Sequence, residues 1–148
     1  KVAGDPKKVE GRAGSAPEWK KVDNYVDLVE ALADWSRGLL RANPYKLVAL
    51  ICRYPKQAME LKEEMENYMP GEVRLGHRDQ FSFEPGVLVT NIHQVKGLEF
   101  DSVALVEPDE ENYPEKREES RNMIYVGITR TQEDLLLATI RPYSPVLF

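Results

Sequence analysis

Two short segments contain the residues whose types and spacing suggest chemistry. The first, residues 86–100, begins with an apolar run and then breaks into polar residues around a glycine. A buried strand followed by a polar loop is how α/β domains place ligand-binding groups at the carboxyl ends of strands. The second segment, residues 125–130, ends a predicted helix with Arg130, whose planar guanidinium can form paired hydrogen bonds with phosphate oxygens. The functional interpretation rests on these two segments.

The chain lacks a phosphate-binding loop of its own. Neither G-x-x-x-x-G-K-[ST] nor G-x-G-x-x-G occurs in the sequence, so a nucleoside triphosphate has no primary binding site here. Two histidines and one cysteine cannot form a structural zinc site, and no nucleophile elbow supports serine catalysis. The sequence therefore predicts no metal site and no free-standing catalytic centre.

Length and composition are those of one globular domain. The chain has 148 residues, of which 42% are hydrophobic and 30% charged. A net charge of −5 provides no general basic field for nucleic acid, although local loops can hold phosphates on an acidic protein. The single cysteine, Cys52, rules out an internal disulfide and favours the cytoplasm, and no apolar run is long enough for a membrane span. Because the chain begins with Lys1 rather than methionine, we expect a fragment of a longer protein.

The hydrophobic pattern predicts strands alternating with helices. Residues 1–22 are expected to be an irregular lead-in or to hold a first strand near Val9 or Trp19, and residues 23–148 are expected to form the domain. The predicted helices are 24–41, 55–69 and 118–131, and the predicted strands are 47–52, 73–75, 87–89, 102–106 and 135–140. This alternation predicts an α/β fold with a mainly parallel sheet flanked by helices. Tyr125, with apolar neighbours, is expected to pack in the core, and the acidic stretch 107–119 to be a solvated loop that repels DNA.

Both segments resemble motifs of one protein family. Residues 93–100, HQVKGLEF, resemble the T-x-H-x-x-K-G-L-E-[FW] motif of superfamily 1 helicases of the UvrD/PcrA/Rep group. Residues 121–131, RNMIYVGITRT, resemble the R-R-L-x-Y-V-[AG]-x-T-R-A motif of the same group. A weaker resemblance covers residues 45–148, in which residues 47–53 are similar to the family's V-L-x-R strand. The two motifs occur in the family's order.

This resemblance implies a split ATP site. Such helicases hydrolyse ATP with Mg²⁺ between two RecA-like (P-loop NTPase-like) domains, of which the first supplies the phosphate loop and metal ligands. The chain would be the second domain, without its own Walker A loop, in an ATP-dependent DNA helicase. Its partners would be single-stranded DNA and a missing N-terminal RecA-like domain. The isolated domain is therefore predicted to be inactive.

Three residues are implied in nucleotide binding. Arg130 matches the family's arginine that reaches the γ-phosphate, and it is the predicted catalytic residue. Glu99 matches the glutamate that accepts hydrogen bonds from the ribose, and Gly97 would allow close backbone approach or supply a positive φ. The plain alternatives are a surface arginine, a solvated carboxylate and a turn glycine.

Four residues are implied in DNA binding by the same resemblance. Thr90, Asn91 and His93 follow the central strand, where the family's loop touches the backbone of single-stranded DNA. Asn91 stands where the family usually has threonine, and a lone histidine after a strand is often structural. Lys96 can pair either with a phosphate or with a neighbouring carboxylate, and the sequence does not decide between them.

Two other functions remain open. One is a helicase-like ATPase whose main partner is a protein such as RNA polymerase, because HelD-type relatives also have K-G-L-E-F followed by aspartate, here Asp101, and also lack a large accessory insertion. The other is a non-catalytic scaffold for DNA repair proteins. Retention of Glu99 and Arg130 argues against a scaffold.

Overall fold

A six-stranded sheet organises the molecule. The computed structural model describes residues 16–77 and 81–148. All strands pair in parallel, in the spatial order β1-β6-β5-β2-β4-β3. The strands are β1 Glu18–Lys21, β2 Leu47–Cys52, β3 Val73–Leu75, β4 Gly86–Asn91, β5 Phe100–Val106 and β6 Thr131–Thr139, and the helices are α1 Tyr25–Ala42, α2 Pro55–Met65 and α3 Glu118–Ile128.

Helices cover both faces of the sheet. Alternate residues of a strand point to opposite faces, and β2 illustrates this, since all six of its residues are buried. Val48 and Leu50 pack in a cluster with α1 and α2, whereas Ala49 and Ile51 pack in a second cluster with α3. A strand that is covered on both sides reads as a continuous apolar run. This explains why β2 and β4 are recognisable from sequence.

Local chemistry sets where the helices begin and end. The Asn24 side chain accepts a hydrogen bond from the Asp27 N–H at 2.8 Å and starts α1. Pro55 occupies the first turn of α2, where a missing N–H costs nothing. Helix α2 ends at Met65, earlier than predicted, because the chain tightens there and the Tyr68 N–H bonds to the Met65 carbonyl at 3.0 Å.

The predicted fold class is confirmed, with differences at the ends of elements. The strand expected near Trp19 is β1, which pairs with β6, whereas Val9 lies outside the described residues. Strand β6 begins at Thr131, four residues before its apolar run, because Thr131 pairs with Phe100. Within the described part of the chain, no helix is long and apolar enough to cross a membrane.

One segment connects the two edges of the sheet. In a parallel sheet, all amino ends lie at one edge and all carboxyl ends at the other. Residues 92–99 leave β4 at the carboxyl edge and enter β5 at the amino edge. The residues of the first motif are therefore distributed over both edges.

Candidate functional site

Residues 92–99, the crossing segment, are shaped by local hydrogen bonds. The Asn91 side-chain oxygen accepts a hydrogen bond from the His93 N–H at 3.2 Å and starts a short 3₁₀ helix, Ile92–Gln94. The Leu98 N–H then bonds to the Val95 carbonyl at 2.9 Å. Gly97 turns the chain with φ +81°, a left-handed conformation that residues with a Cβ rarely adopt. The polar loop is thus a built structure rather than a loose connection.

Glu99 and Arg130 lie at the amino edge, at the starts of two adjacent strands. Each residue immediately precedes a strand, β5 or β6, and the Phe100 N–H donates to the Arg130 carbonyl at 2.8 Å. Gln132 on β6 donates a side-chain hydrogen bond to the Glu99 carboxylate. Two residues that are remote in sequence are therefore brought together. For Glu99, the expectation that the loop after the central strand places ligand groups at the carboxyl edge is wrong, because Glu99 precedes β5 at the amino edge.

The Arg130 guanidinium is only partly satisfied by the chain. Its Nη2 donates to the Thr129 hydroxyl at 3.2 Å, and that hydroxyl in turn donates to the Tyr125 carbonyl at 2.9 Å. Its Nε is buried and has no hydrogen-bond partner among the described residues. The chain therefore leaves part of the hydrogen-bonding capacity of this guanidinium unused.

Lys96 and Gly97, the predicted site residues between His93 and Glu99, are open to solvent. Gly97 is exposed, and no atom lies within 4 Å of where a Cβ would stand, so its positive φ, rather than crowding, accounts for the glycine. Lys96 is exposed as well. Its position is compatible with either of its two predicted partners.

At the carboxyl edge, His93 meets an arginine that sequence reasoning did not select. Arg53 follows β2 and is 7% exposed, and its Nη1 lies 3.2 Å from His93 Nε2. Because arginine can only donate, His93 accepts at Nε2. The Arg53 guanidinium stacks on the Tyr54 ring, 4.3 Å from its centroid, and its Nε has no partner among the described residues. The only sequence signal for Arg53 was its place at the end of the V-L-x-R strand.

Thr90 and Asn91 are placed differently from their predicted role. Thr90 is fully buried, and its hydroxyl donates to the Gly76 carbonyl at 3.0 Å. Asn91 is 4% exposed, and its oxygen is used to start the 3₁₀ helix. Thr90 therefore has no surface for a phosphate, because strand β4 still lies in the core at that point. Of the predicted DNA residues on this edge, His93 alone is exposed.

Tyr125 lies on the solvent side of α3, and its predicted place in the core is wrong. It is 67% exposed on α3 instead of packing in the core. The residues of α3 that face the sheet are Ser120, Ile124, Gly127 and Ile128, which leaves Tyr125 on the outer side. The apolar neighbours in sequence were misleading, because on a helix they lie on another face.

The acidic loop after β5 is more ordered than a solvated loop. Asp109 is fully buried, and its carboxylate accepts from the Asn112 N–H at 2.9 Å. Arg141 lies within 4 Å of Glu107, Asp109 and Glu111. Burial is the main cause that raises the pKa of Glu107, and repulsion from the Asp109 carboxylate adds to it. Burial also raises the pKa of Asp109. Among the described residues, no group of three or more acidic, histidine or cysteine side chains could hold a metal ion.

Comparison with known proteins gives consistent matches. Residues 7–142 match the family model of the UvrD-like helicase C-terminal domain. The ATP-dependent DNA helicase Rep of Buchnera aphidicola subsp. Schizaphis graminum is 26% identical over 125 residues, which are 80% of this chain and 18% of Rep. The chain thus spans less than a fifth of the length of this relative.

Solved structures show the same fold. The C-terminal domain of a possible DNA helicase from Lactobacillus plantarum WCFS1 has a TM-score of 0.77 and 27% identity, covering 90% of this chain and 80% of that one. The C-terminal domain of the DEAD-box protein Dbp5 has a TM-score of 0.54 at 15% identity, covering 95% and 81%, and supports the fold alone. Since the family model spans nearly the whole sequence, the chain belongs to the UvrD-like helicase C-terminal domain family and has a RecA-like fold.

Proposed function

We propose that this chain is the second motor domain of an ATP-dependent DNA helicase. Its amino edge would complete an ATP site that an N-terminal RecA-like domain holds, and its carboxyl edge would contact single-stranded DNA. One observation carries the proposal: Glu99 with Arg130, and His93 with Arg53, form two groups at opposite edges of one sheet. A single segment, residues 92–99, joins them.

At the amino edge, Arg130 would supply positive charge to the transferring phosphoryl group. Its unpartnered Nε and its bond to the Thr129 hydroxyl support this role, since they leave donors free on a guanidinium that is held in place. An arginine so placed contributes about 10³–10⁵ to the rate in phosphoryl-transfer enzymes. The Glu99 carboxylate would accept hydrogen bonds from the ribose hydroxyls. The phosphate loop and the Mg²⁺ ligands would come from the N-terminal domain, without which this chain should hydrolyse ATP negligibly.

At the carboxyl edge, Arg53 and His93 would hold the phosphate backbone. Contacts of this kind position a protein on DNA without reading its bases. Arg53 stacks on Tyr54, which is 45% exposed and could also meet a base. Asn91 would act indirectly by shaping the loop that presents His93.

The two edges are mechanically connected. A shift of the crossing segment on nucleotide binding would move His93 through a short, hydrogen-bonded path. Small displacements at one site can be amplified when the element between the sites has two arrangements. The segment would thereby couple closure of the ATP site to the grip on DNA.

Separation of the two functions tests the proposal. In the parent protein, Glu99→Ala should raise the KM for ATP by about tenfold, the value of one or two lost hydrogen bonds, and leave the Kd for single-stranded DNA unchanged. His93→Ala should weaken DNA binding and leave ATP binding unchanged. Lys62→Ala, which removes a partly exposed ion pair with Glu66 on α2, is the control and should change neither quantity. Equal effects of Glu99→Ala and His93→Ala on both ligands would refute the division into two edges.

A further inference from the structure

Lys46 stands at the centre of a polar network that joins three adjacent strands. It immediately precedes β2, and its side chain is only 12% exposed. Its Nζ lies 2.5 Å from Asp134 Oδ2 and 2.7 Å from Glu133 Oε1, both on β6, and 3.4 Å from the hydroxyl of Ser102 on β5. That hydroxyl also donates to Asp134 Oδ2 at 2.7 Å. One lysine thus connects the amino ends of β2, β5 and β6.

The network lies where the register between β5 and β6 is irregular. Phe100 pairs with Thr131, but Ser102 pairs with Asp134, so the register shifts within the first residues of these strands. The irregularity lies directly after the two candidate nucleotide residues, one of which precedes each strand. Bulges of this kind bend a strand and re-aim neighbouring side chains, and they are frequent next to active sites.

Two further hydrogen bonds hold the irregular region, one to β2 and one within β6. The Leu47 N–H donates to Asp101 Oδ2 at 2.7 Å. The Thr131 hydroxyl donates to the Asp134 carbonyl at 2.5 Å. Residues on both sides of the irregularity are therefore held, on β5 through Asp101 and on β6 through Asp134.

We propose that Lys46 is a positioning residue for the nucleotide site. By clamping the start of β6 against β5, it sets the spacing and direction of Glu99 and Arg130, although it touches no nucleotide itself. The inference rests on the proposed function, since it presumes that these two residues meet ATP. Lys46 is well suited because its single charge lies between the carboxylates of Asp134, which is partly buried, and Glu133, which is exposed. Its loss would remove the ammonium group that bonds to Asp134, Glu133 and Ser102 together, and the strand ends would rearrange.

The test uses the parent protein with Lys46→Met, Lys46→Arg and Asp134→Asn. Lys46→Met should lower kcat for ATP hydrolysis by about tenfold or more, as small misplacements of catalytic groups do. Its Kd for single-stranded DNA without nucleotide should stay within about twofold, because the DNA residues lie at the opposite edge. Lys46→Arg should recover part of kcat, and Asp134→Asn, which keeps the side-chain shape, should also lower kcat without changing the Kd for single-stranded DNA. Lys62→Met is the matched control, since it removes a partly exposed lysine of an ion pair on α2.

The outcomes separate this proposal from the function on which it rests. Arg130→Ala is measured in parallel, and if it hydrolyses ATP at the wild-type rate, the proposed function fails. If Arg130→Ala is impaired but Lys46→Met and Asp134→Asn keep kcat within about threefold of wild type, the positioning role alone is overturned. A loss of kcat and of DNA affinity by the same factor in both variants would also overturn it, because a merely structural role affects both edges.

Discussion

At the scale of single residues, Arg53 and Thr90 show how position decides function. Both lie at the carboxyl edge and both are buried, but Arg53 directs its guanidinium to His93 while Thr90 points its hydroxyl into the core. Arginine is over-represented in phosphate recognition because its donors lie in one plane. We therefore propose a DNA contact for Arg53, whereas Thr90 makes a structural hydrogen bond.

This assignment predicts opposite results for two substitutions. Arg53→Ala should weaken binding of single-stranded DNA. It should also lower the slope of log K against log[salt] by about 1, the value expected for one lost phosphate contact. Thr90→Val should leave DNA affinity unchanged and lower the free energy of unfolding by roughly 1–3 kcal/mol, because the buried Gly76 carbonyl loses its partner. DNA titrations at several salt concentrations and denaturant unfolding measure the two effects. A Thr90→Val variant that loses DNA affinity but not stability would reverse the assignment.

Glu107 gives a prediction for the pH dependence of stability. Its raised pKa means that the folded protein binds this proton more tightly than the unfolded chain does. The unfolding free energy that it contributes therefore falls as pH rises from a glutamate's ordinary pKa to the raised value, and it stays low above that. At pH 7, Glu107→Gln should increase the free energy of unfolding, and this gain should disappear as pH falls through the raised pKa to a glutamate's ordinary value.

Denaturant unfolding between pH 4 and pH 8 would measure this effect, and Glu111→Gln is the control. Glu111 pairs with the same arginine, at 3.0 Å, but it is exposed, so its removal should give no comparable gain. A Glu107→Gln protein that is less stable than wild type at neutral pH would show that the Arg141 pairing outweighs the cost of burial.

At the scale of elements, the crossing segment depends on one backbone conformation. Gly97→Ala should lower the free energy of unfolding by about 1–2 kcal/mol, since φ +81° places a Cβ against the following carbonyl. Gly38→Ala is a matched control: it lies inside α1 with open space around its Cβ position, and it should raise stability by up to about 1 kcal/mol through helix propensity. Denaturant unfolding measures both. Equal effects of the two substitutions would mean that the φ of Gly97 does not matter.

The elements also show how far sequence reasoning could go. Strands β2 and β4 and helix α1 were predictable, because continuous apolar runs and the 3.6-residue period are local signals. That Glu99 and Arg130 lie close together was implied by the family resemblance alone, since no local pattern shows the irregular register between β5 and β6 or where β6 begins. Arg53 was overlooked for a similar reason: its contact with His93 is long-range. Tyr125 was misplaced because the choice of helix face depends on how α3 docks.

At the scale of the whole molecule, one sheet separates two chemistries. Both of its faces are covered by helices, so ligands can reach functional residues only at its edges. The edges present the beginnings and the ends of the strands, with Glu99 and Arg130 at one edge and Arg53 and His93 at the other. In the function that we propose, this domain forms one half of an ATP site. The phosphates that Arg130 would meet are then held by the N-terminal domain.

ATP hydrolysis by the parent protein, with and without single-stranded DNA, tests this central claim most directly. Arg130→Ala should lower the DNA-stimulated kcat by about a hundredfold or more while ATP binding and DNA binding persist, because the arginine acts on charge that develops in the transition state. Arg130→Lys keeps the charge but not the planar fork, and it should restore little of the rate. A wild-type protein that ignores DNA, or an Arg130→Ala protein as active as wild type, would contradict the account of this chain as the second half of a DNA-dependent ATPase.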